Sequence, residues 1–196
     1  PEGTTPPLSP AQERLWFLNR FDPAGNAAFN INLVLRLTGP LDAEALGRAF
    51  DGVVARHETL RTRFPEVDGQ PAVVIDPPAP VRIERLKGEA TALVAERVNT
   101  PFDLTGEPAV RVTLIEQGAE DHVLCVVAHH ILGDGWSLNV LRDELAVLYS
   151  GGSLPPVPLQ FGDLVVWQRG RDSSKLFDYW STQLADPTPL ALPTDR

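Results

Sequence analysis

Residues 121–135 read DHVLCVVAHHILGDG, an apolar stretch that ends in two histidines, an acid and two glycines. Residues 121–130 carry the β-branched and apolar side chains that are typical of a strand buried in a sheet. Because side chains alternate along a strand, His129 and His130 must point to opposite faces. We therefore expect one histidine to reach any given cleft and the other to be held structurally on the far side.

The segments around this strand predict a mixture of strands and helices. Ser9, Pro10 and Gln12 form a capping-box pattern, which indicates the start of a helix. Because strands and helices do not strictly alternate and hairpins occur, we expect an α/β protein of the α+β type, with helices packed on a mixed sheet. Further strands are predicted at 28–38, 60–67, 71–76, 81–86 and 109–116, and further helices at 42–56, 90–98, 138–148, 163–169 and 175–184.

The composition fits a folded domain and excludes two classes of partner. The chain has 196 residues, of which 43% are hydrophobic and 22% charged, and its formal net charge is -9. Nucleic acids and anionic membranes usually require a basic face, so we expect neither partner. No long apolar span or signal peptide occurs, and the default expectation is a cytoplasmic location. The absence of methionine indicates a piece processed or excised from a longer chain.

The residues after the strand permit several chemistries. Asp134 follows His130 by four residues and lies near the start of the next helix, where an acid stays ionised. It is placed to orient a ring or to pair with an arginine, while Gly135 leaves backbone room for a thin substrate. A metal site is disfavoured, because adjacent histidines on a strand do not converge on one ion.

Nucleophilic catalysis by the chain itself is also disfavoured. Cys125, the single cysteine, lies on the face opposite His130 and about 13 Å along the strand from His129, which is too far for a hydrogen bond. We therefore expect Cys125 to be a small buried side chain of the core. No Gly-x-Ser-x-Gly elbow occurs, and Ser137 lies past the turn. A purely structural role for both histidines stays open. A histidine without a nucleophilic partner suits acyl transfer between two substrates, as a base or as a hydrogen-bonding group at the tetrahedral centre.

Four segments in order resemble the condensation domain of nonribosomal peptide synthetases. The His-x-x-x-Asp-Gly core is shared with chloramphenicol acetyltransferase and related acyltransferases, so the resemblance implies a lobe of that fold. Val165 stands where the family more often has alanine. The segments are SPAQERLW (9–16), RHETLRTRF (56–64), HHILGDGWS (129–137) and QFGDLVVW (160–167).

This resemblance implies an acyltransferase that forms peptide bonds in the biosynthesis of antibiotics and other secondary metabolites. An acceptor amine attacks a donor thioester, and both substrates arrive on phosphopantetheine arms of carrier-protein domains, so no cofactor is bound directly and no metal is expected. The resemblance assigns seven residues to the site. They are His130 as active-site histidine, His129 in support, Asp134 as structural acid with Arg61 as its salt-bridge partner, Gly135 along the path of the arm, and Trp136 and Ser137 at the acceptor side.

Other charged and aromatic residues are expected to have structural roles. Arg56, Glu58 and Arg63 are expected in solvated ion pairs. Three tryptophans are expected to anchor the core rather than to contact substrate: Trp16, Trp167 and Trp180.

The resemblance also predicts how the domain is organised. Residues 1–185 are expected to form the N-terminal lobe of a condensation domain, and residues 186–196 to begin a linker to a C-terminal lobe. Because the substrate tunnel of the family runs between two lobes, we expect the isolated chain to lack half of its enclosing surface. Two alternatives stay open: a non-catalytic fragment that docks carrier proteins, and a free-standing acyltransferase that uses soluble acyl-thioesters.

Overall fold

A mixed sheet lies at the centre of the fold in a computed structural model, which describes residues 5–23, 25–106 and 108–188. The strands are β1 (Asn30–Thr38), β2 (Thr62–Arg63), β3 (Glu66–Val67), β4 (Gln70–Pro71), β5 (Val74–Ile75), β6 (Ile83–Lys87), β7 (Val110–Gly118) and β8 (Asp121–His129). The main sheet has the order β1-β8-β7-β6; β8 pairs antiparallel with β1 and β7, whereas β6 pairs parallel with β7. The predicted mixed sheet is confirmed.

Helices cover both faces of this sheet. They are α1 (Pro10–Phe21), α2 (Ala43–Arg56), α3 (Ala90–Val98), α4 (Gly135–Tyr149), α5 (Phe161–Arg169) and α6 (Ser174–Gln183), with 3-10 helices at Gly25–Phe29 and Glu58–Arg61. Helices α2 and α4 pack on one face, and α1 and α3 on the other. In the described ranges, no helix combines the length and apolar character needed to cross a bilayer.

Strand β8 is buried on both faces, which explains its nearly continuous apolar sequence. Leu124 and Val126 belong to the core under α2 and α4, whereas Cys125 and Val127 belong to the core under α1 and α3. Cys125 is fully buried, as expected for a small apolar filler. The same alternation directs His129 and His130 to opposite sides of the sheet.

The predicted hairpin at residues 60–76 is broken into short pieces. Strand β2 pairs with β5, and β3 pairs with β4. Pro65 lies between β2 and β3, and Pro71 lies in β4 opposite Glu66. Since proline has no backbone N–H, neither residue can donate a hydrogen bond to the ladder. The predicted turn is present, because Asp68 and Gly69 have φ angles of 51° and 75°, as tight hairpin turns require.

The tryptophans differ in burial. Trp16 is buried and donates its Nε1–H to the Phe64 carbonyl at 3.0 Å, as a core anchor should. Trp167 and Trp180 are more than half exposed, so the prediction that they anchor the core is wrong within this chain. Helix α6 carries no buried residue. Of the predicted linker at 186–196, residues 189–196 lie outside the described residues.

Candidate active site

The two histidines at the end of β8 lie in different environments. His129 is fully buried, whereas His130 is exposed. The backbone N–H of His130 donates to the Phe29 carbonyl at 2.8 Å, and this bond fixes the strand end from which the His130 side chain projects. The sheet therefore presents one histidine to solvent and one to the core, as strand alternation predicts.

Hydrogen bonds fix the tautomer of His129. Its Nδ1 accepts the backbone N–H of Ile131 at 3.0 Å, so the ring proton is on Nε2, which donates to Asn26 Oδ1 at 2.8 Å. The Asn26 amide is oriented in turn, because its Nδ2 donates to the Phe102 carbonyl at 3.2 Å. Burial, and secondarily the neighbouring His130, lowers the pKa of His129 to about 4. His129 is therefore a neutral support for the turn that follows.

Asp134 is the N-cap of α4. Its Oδ1 accepts the backbone N–H and the hydroxyl of Ser137 at 2.9 and 2.8 Å, and the Ser137 hydroxyl oxygen accepts the Asp134 backbone N–H at 3.2 Å. The backbone N–H of Ser137, then its hydroxyl, hold the pKa of Asp134 below its usual value, and His130 adds a smaller effect. The carboxylate is therefore ionised and fixes the angle between the strand end and the helix.

His130 faces a cavity of about 460 Å³ between the start of α1, the 3-10 helix at Glu58–Arg61 and the first turns of α4. Its walls are mainly apolar, and they include Leu15, Ile31, Leu60, Leu138, Leu141 and Phe161. A few polar groups reach the same space: Ser9, Gln12, His57, His130, Asp134 and Ser137. An apolar cleft with a few converging polar groups is the usual form of a small-molecule site.

A family match covers nearly the whole chain around this site. The family model described as Condensation domain matches residues 2–196. The chain belongs to the condensation-domain family. The family and the fold class expected from the sequence are thereby confirmed.

Several curated synthetases are similar to this condensation-domain chain. Cyclosporin synthetase of Tolypocladium inflatum is 41% identical over 198 residues, covering 94% of this chain and 1% of that protein. A nonribosomal peptide synthetase of Curvularia clavata is 39% identical over 203 residues, covering 94% of this chain and 2% of that protein. The chain thus spans a small fraction of the length of the curated relatives it matches.

Solved structures share the fold. The X-domain solved in complex with OxyB from teicoplanin biosynthesis aligns with a TM-score of 0.86 and 34% identity over 100% of this chain and 46% of its own. The first condensation domain of the calcium-dependent antibiotic synthetase, in complex with a substrate analogue, aligns with a TM-score of 0.81 and 25% identity, covering 97% of this chain and 51% of its own. The chain spans about half the length of these domains.

The predicted ion pair between Arg61 and Asp134 is not formed in this condensation-domain chain. Arg61 donates from Nη1 to the Asp76 carbonyl at 2.5 Å and lies 3.6 Å from the Glu58 carboxylate. Asp134 instead accepts from Ser137 at the helix N-terminus. The predicted pairing is therefore wrong, because Arg61 bonds to Asp76 at the end of β5 and lies beside Glu58, whereas Asp134 bonds within the first turn of α4. Arg61 braces the segment that precedes β2.

The seven predicted site residues divide into two groups according to whether they line the cavity. His130, Asp134, Trp136 and Ser137 line the cavity, and Trp136 is 77% exposed at its rim. His129, Gly135 and Arg61 are not among the lining residues. Gly135 begins α4 and is exposed, and a Cβ added there would meet no atom within 4 Å.

Two residues that were not predicted as site residues, Gln12 and His57, also line the cavity. Gln12 of the capping box donates from Nε2 to the Ile131 carbonyl at 3.3 Å, while its Oε1 accepts the Ser9 backbone N–H at 2.9 Å. The box thus ties the start of α1 to the turn after His130. His57 is the second histidine of the cavity, and its partner is 87 residues away, a separation that no local pattern reveals. Among the described residues, no group of three or more His, Cys, Asp or Glu side chains is placed to hold a metal ion.

Proposed function

We propose that this chain supplies the active-site histidine of an amide-forming condensation domain in nonribosomal peptide synthesis. The observation that carries the proposal is the exposed His130 at the edge of an apolar cavity, on the face opposite the neutral, buried His129. In the reaction, the acceptor amine forms a bond to the donor carbonyl carbon, the carbon–sulfur bond breaks, and the amine proton is transferred away as the thiolate leaves.

The chemistry of His130 suits this reaction. An imidazole ring can accept a proton or form a hydrogen bond, and attack of an amine on a thioester needs one of these at the reacting atoms. Whether His130 removes the proton or hydrogen-bonds to the tetrahedral centre, its ring must touch the reacting atoms. Cys125 is not a nucleophile for this site, because it is buried in the core on the other face of the sheet.

The substrates are proposed to arrive on phosphopantetheine arms of carrier domains, with a second lobe closing the cavity. Residues 1–185 then form the N-terminal lobe, which fits the half-length coverage of the solved condensation domains. The open cavity and the exposed apolar residues of α5 and α6 leave surface for such a lobe. Trp136 and Ser137 are proposed to border the acceptor side, and Gly135 the path of an arm.

The test is amide formation from two carrier-bound thioesters by the full-length protein, followed by mass spectrometry of the carrier-bound product. We expect an acceptor-linked amide that depends on both carriers. Equal turnover with soluble acyl-thioesters, in the absence of any carrier, would instead support a free-standing acyltransferase.

A second candidate is a domain that only binds protein partners. The 34% identical X-domain was solved in complex with OxyB, which favours this possibility. A purely docking domain would retain carrier binding and form no amide in the same assay, so one experiment separates the two functions.

A further inference from the structure

A charged cluster beside the cavity holds the ring of His57. Its Nε2 lies 2.6 Å from Glu144 Oε2, and the other oxygen of this carboxylate accepts from Arg56 Nε at 3.0 Å. The side chains of His57, Glu144 and Arg56 are 24%, 13% and 17% exposed. Arg56 was expected in a solvated pair, but its partner is a mostly buried acid on α4.

The backbone on both sides of His57 is held by one further side chain. Gln160 donates from Nε2 to the Arg56 carbonyl at 3.0 Å, and its Oε1 accepts the backbone N–H of Glu58 at 3.2 Å. Gln160 is itself fixed at the start of α5, where its backbone N–H donates to Asp163 at 2.9 Å. Ring and backbone of His57 are thus fixed by residues from two separate helices.

This arrangement determines which ring atom is left for a ligand. A carboxylate only accepts hydrogen bonds, so Nε2 carries a proton. In the neutral ring Nδ1 is then an acceptor. No hydrogen bond to Nδ1 occurs within the described residues, and His57 lines the cavity that His130 also lines. Taking charged groups out of water is unfavourable, and apolar side chains of similar volume often serve packing as well or better. A ring that is fixed in this way and lines the cavity is placed to contact a ligand there.

We propose that His57 is a substrate-binding residue whose Nδ1 accepts a hydrogen bond from the acceptor amine, with Glu144 and Gln160 as positioning residues. The inference rests on the proposed amide-forming function. At the reacting centre the amine is the partner that carries N–H donors, whereas the thioester carbonyl only accepts. An acceptor nitrogen on the cavity wall therefore matches the amine. Donation of Nε2–H to the Glu144 carboxylate makes Nδ1 of the neutral ring a stronger acceptor.

The test separates the two substrates in steady-state kinetics of the full-length protein. In His57→Leu we expect the KM for the acceptor-loaded carrier to rise about threefold to tenfold, as for the loss of one hydrogen bond, with little change in donor KM or in kcat. His57→Gln keeps an acceptor oxygen and is expected to recover most of the acceptor KM. His122→Leu is the matched control, because that histidine lies at the other end of β8, outside the cavity.

The experiment separates an error in the role of His57 from an error in the proposed amide-forming function. If the parent protein forms no amide, the function itself is wrong. If the parent forms amide and a folded His57→Leu keeps the parental acceptor KM, or shifts both KM values equally, this inference alone is overturned. Should His57→Leu not fold, Glu144→Gln takes its place: we expect a smaller rise confined to the acceptor KM, and an unchanged value would count against the proposal.

Discussion

Replacing His129 with glutamine should flatten the pH dependence of stability between pH 7 and 5. The imidazole is fully buried, with the rings of Phe29 and Phe102 at centroid distances of 6.0 and 6.5 Å. Both ring nitrogens are engaged in the neutral form, by Asn26 and Ile131. A second proton on the ring would break the bond from the Ile131 N–H and place a charge in the core.

The magnitude follows from the pKa difference between the folded and unfolded chain. The pKa of His129 is about 4 in the fold and 6.5 in the reference state. Between these values the unfolded chain takes up a proton that the folded chain does not, so the free energy of unfolding decreases as pH falls. The expected loss is about 2 kcal/mol between pH 7 and 5. Carboxylates with lowered pKa, such as Asp76 and Asp121, lose their contribution only at lower pH.

The assay is urea unfolding followed by tryptophan fluorescence at pH 7, 6 and 5, for the parent and for His129→Gln. The variant is expected to be less stable at pH 7, because the ring contacts are lost, and to show a fall about 2 kcal/mol smaller than the parent's between pH 7 and 5. If both proteins lost the same free energy over this range, the argument that His129 is held neutral by burial would be refuted.

Three further predictions follow from the turn and strand around the site. Gly135→Ala should leave the thermal midpoint unchanged or slightly raised, because the added Cβ has open space in this chain and alanine favours helix. If this folded variant forms amide more slowly than the parent, the substrate arm passes Gly135. If it forms amide at the parental rate, Gly135 does not have that role. Asp134→Ala should destabilise the chain by about 1 kcal/mol in urea unfolding, whereas Asp134→Asn should lose less because it can still cap α4. Cys125, whose thiol pKa is raised by burial, should react with a thiol reagent only after unfolding; fast labelling of the native chain would contradict its placement in the core.

Much of the fold could be predicted because the spacing of apolar residues along the sequence shows which side of each helix or strand is buried. The hairpin of β7 and β8 and the helix at Ala90–Val98 lie where apolar spacing and turn residues predict them. The hairpin at residues 60–76 was predicted only in part: its Asp-Gly turn is local, but the interruption of its ladder depends on prolines within the paired segments. The parallel pairing of β6 with β7 depends on a crossover through α3, which strand periodicity does not report.

The candidate site shows the same division between local and distant information. Side-chain alternation along one strand predicted the different environments of His129 and His130. The helix cap formed by Asp134 and Ser137 is also local, because the two residues are three positions apart. The ion pair of Arg61 with Asp134 was inferred from resemblance, and nearer partners replace it. The contact of His57 with Glu144 joins residues 87 positions apart, and only the packing of α4 beside α2 brings them together.

The most direct test of the central claim is the single-turnover rate of amide formation by the full-length His130→Ala protein, at saturating donor and acceptor carriers. General acid–base or hydrogen-bonding contact at the reacting centre predicts a loss of at least about hundredfold, with an unchanged thermal midpoint because the side chain is exposed. His122→Ala, which changes a histidine outside the cavity, should react at the parental rate. A folded His130→Ala protein that forms amide as fast as the parent would contradict the account.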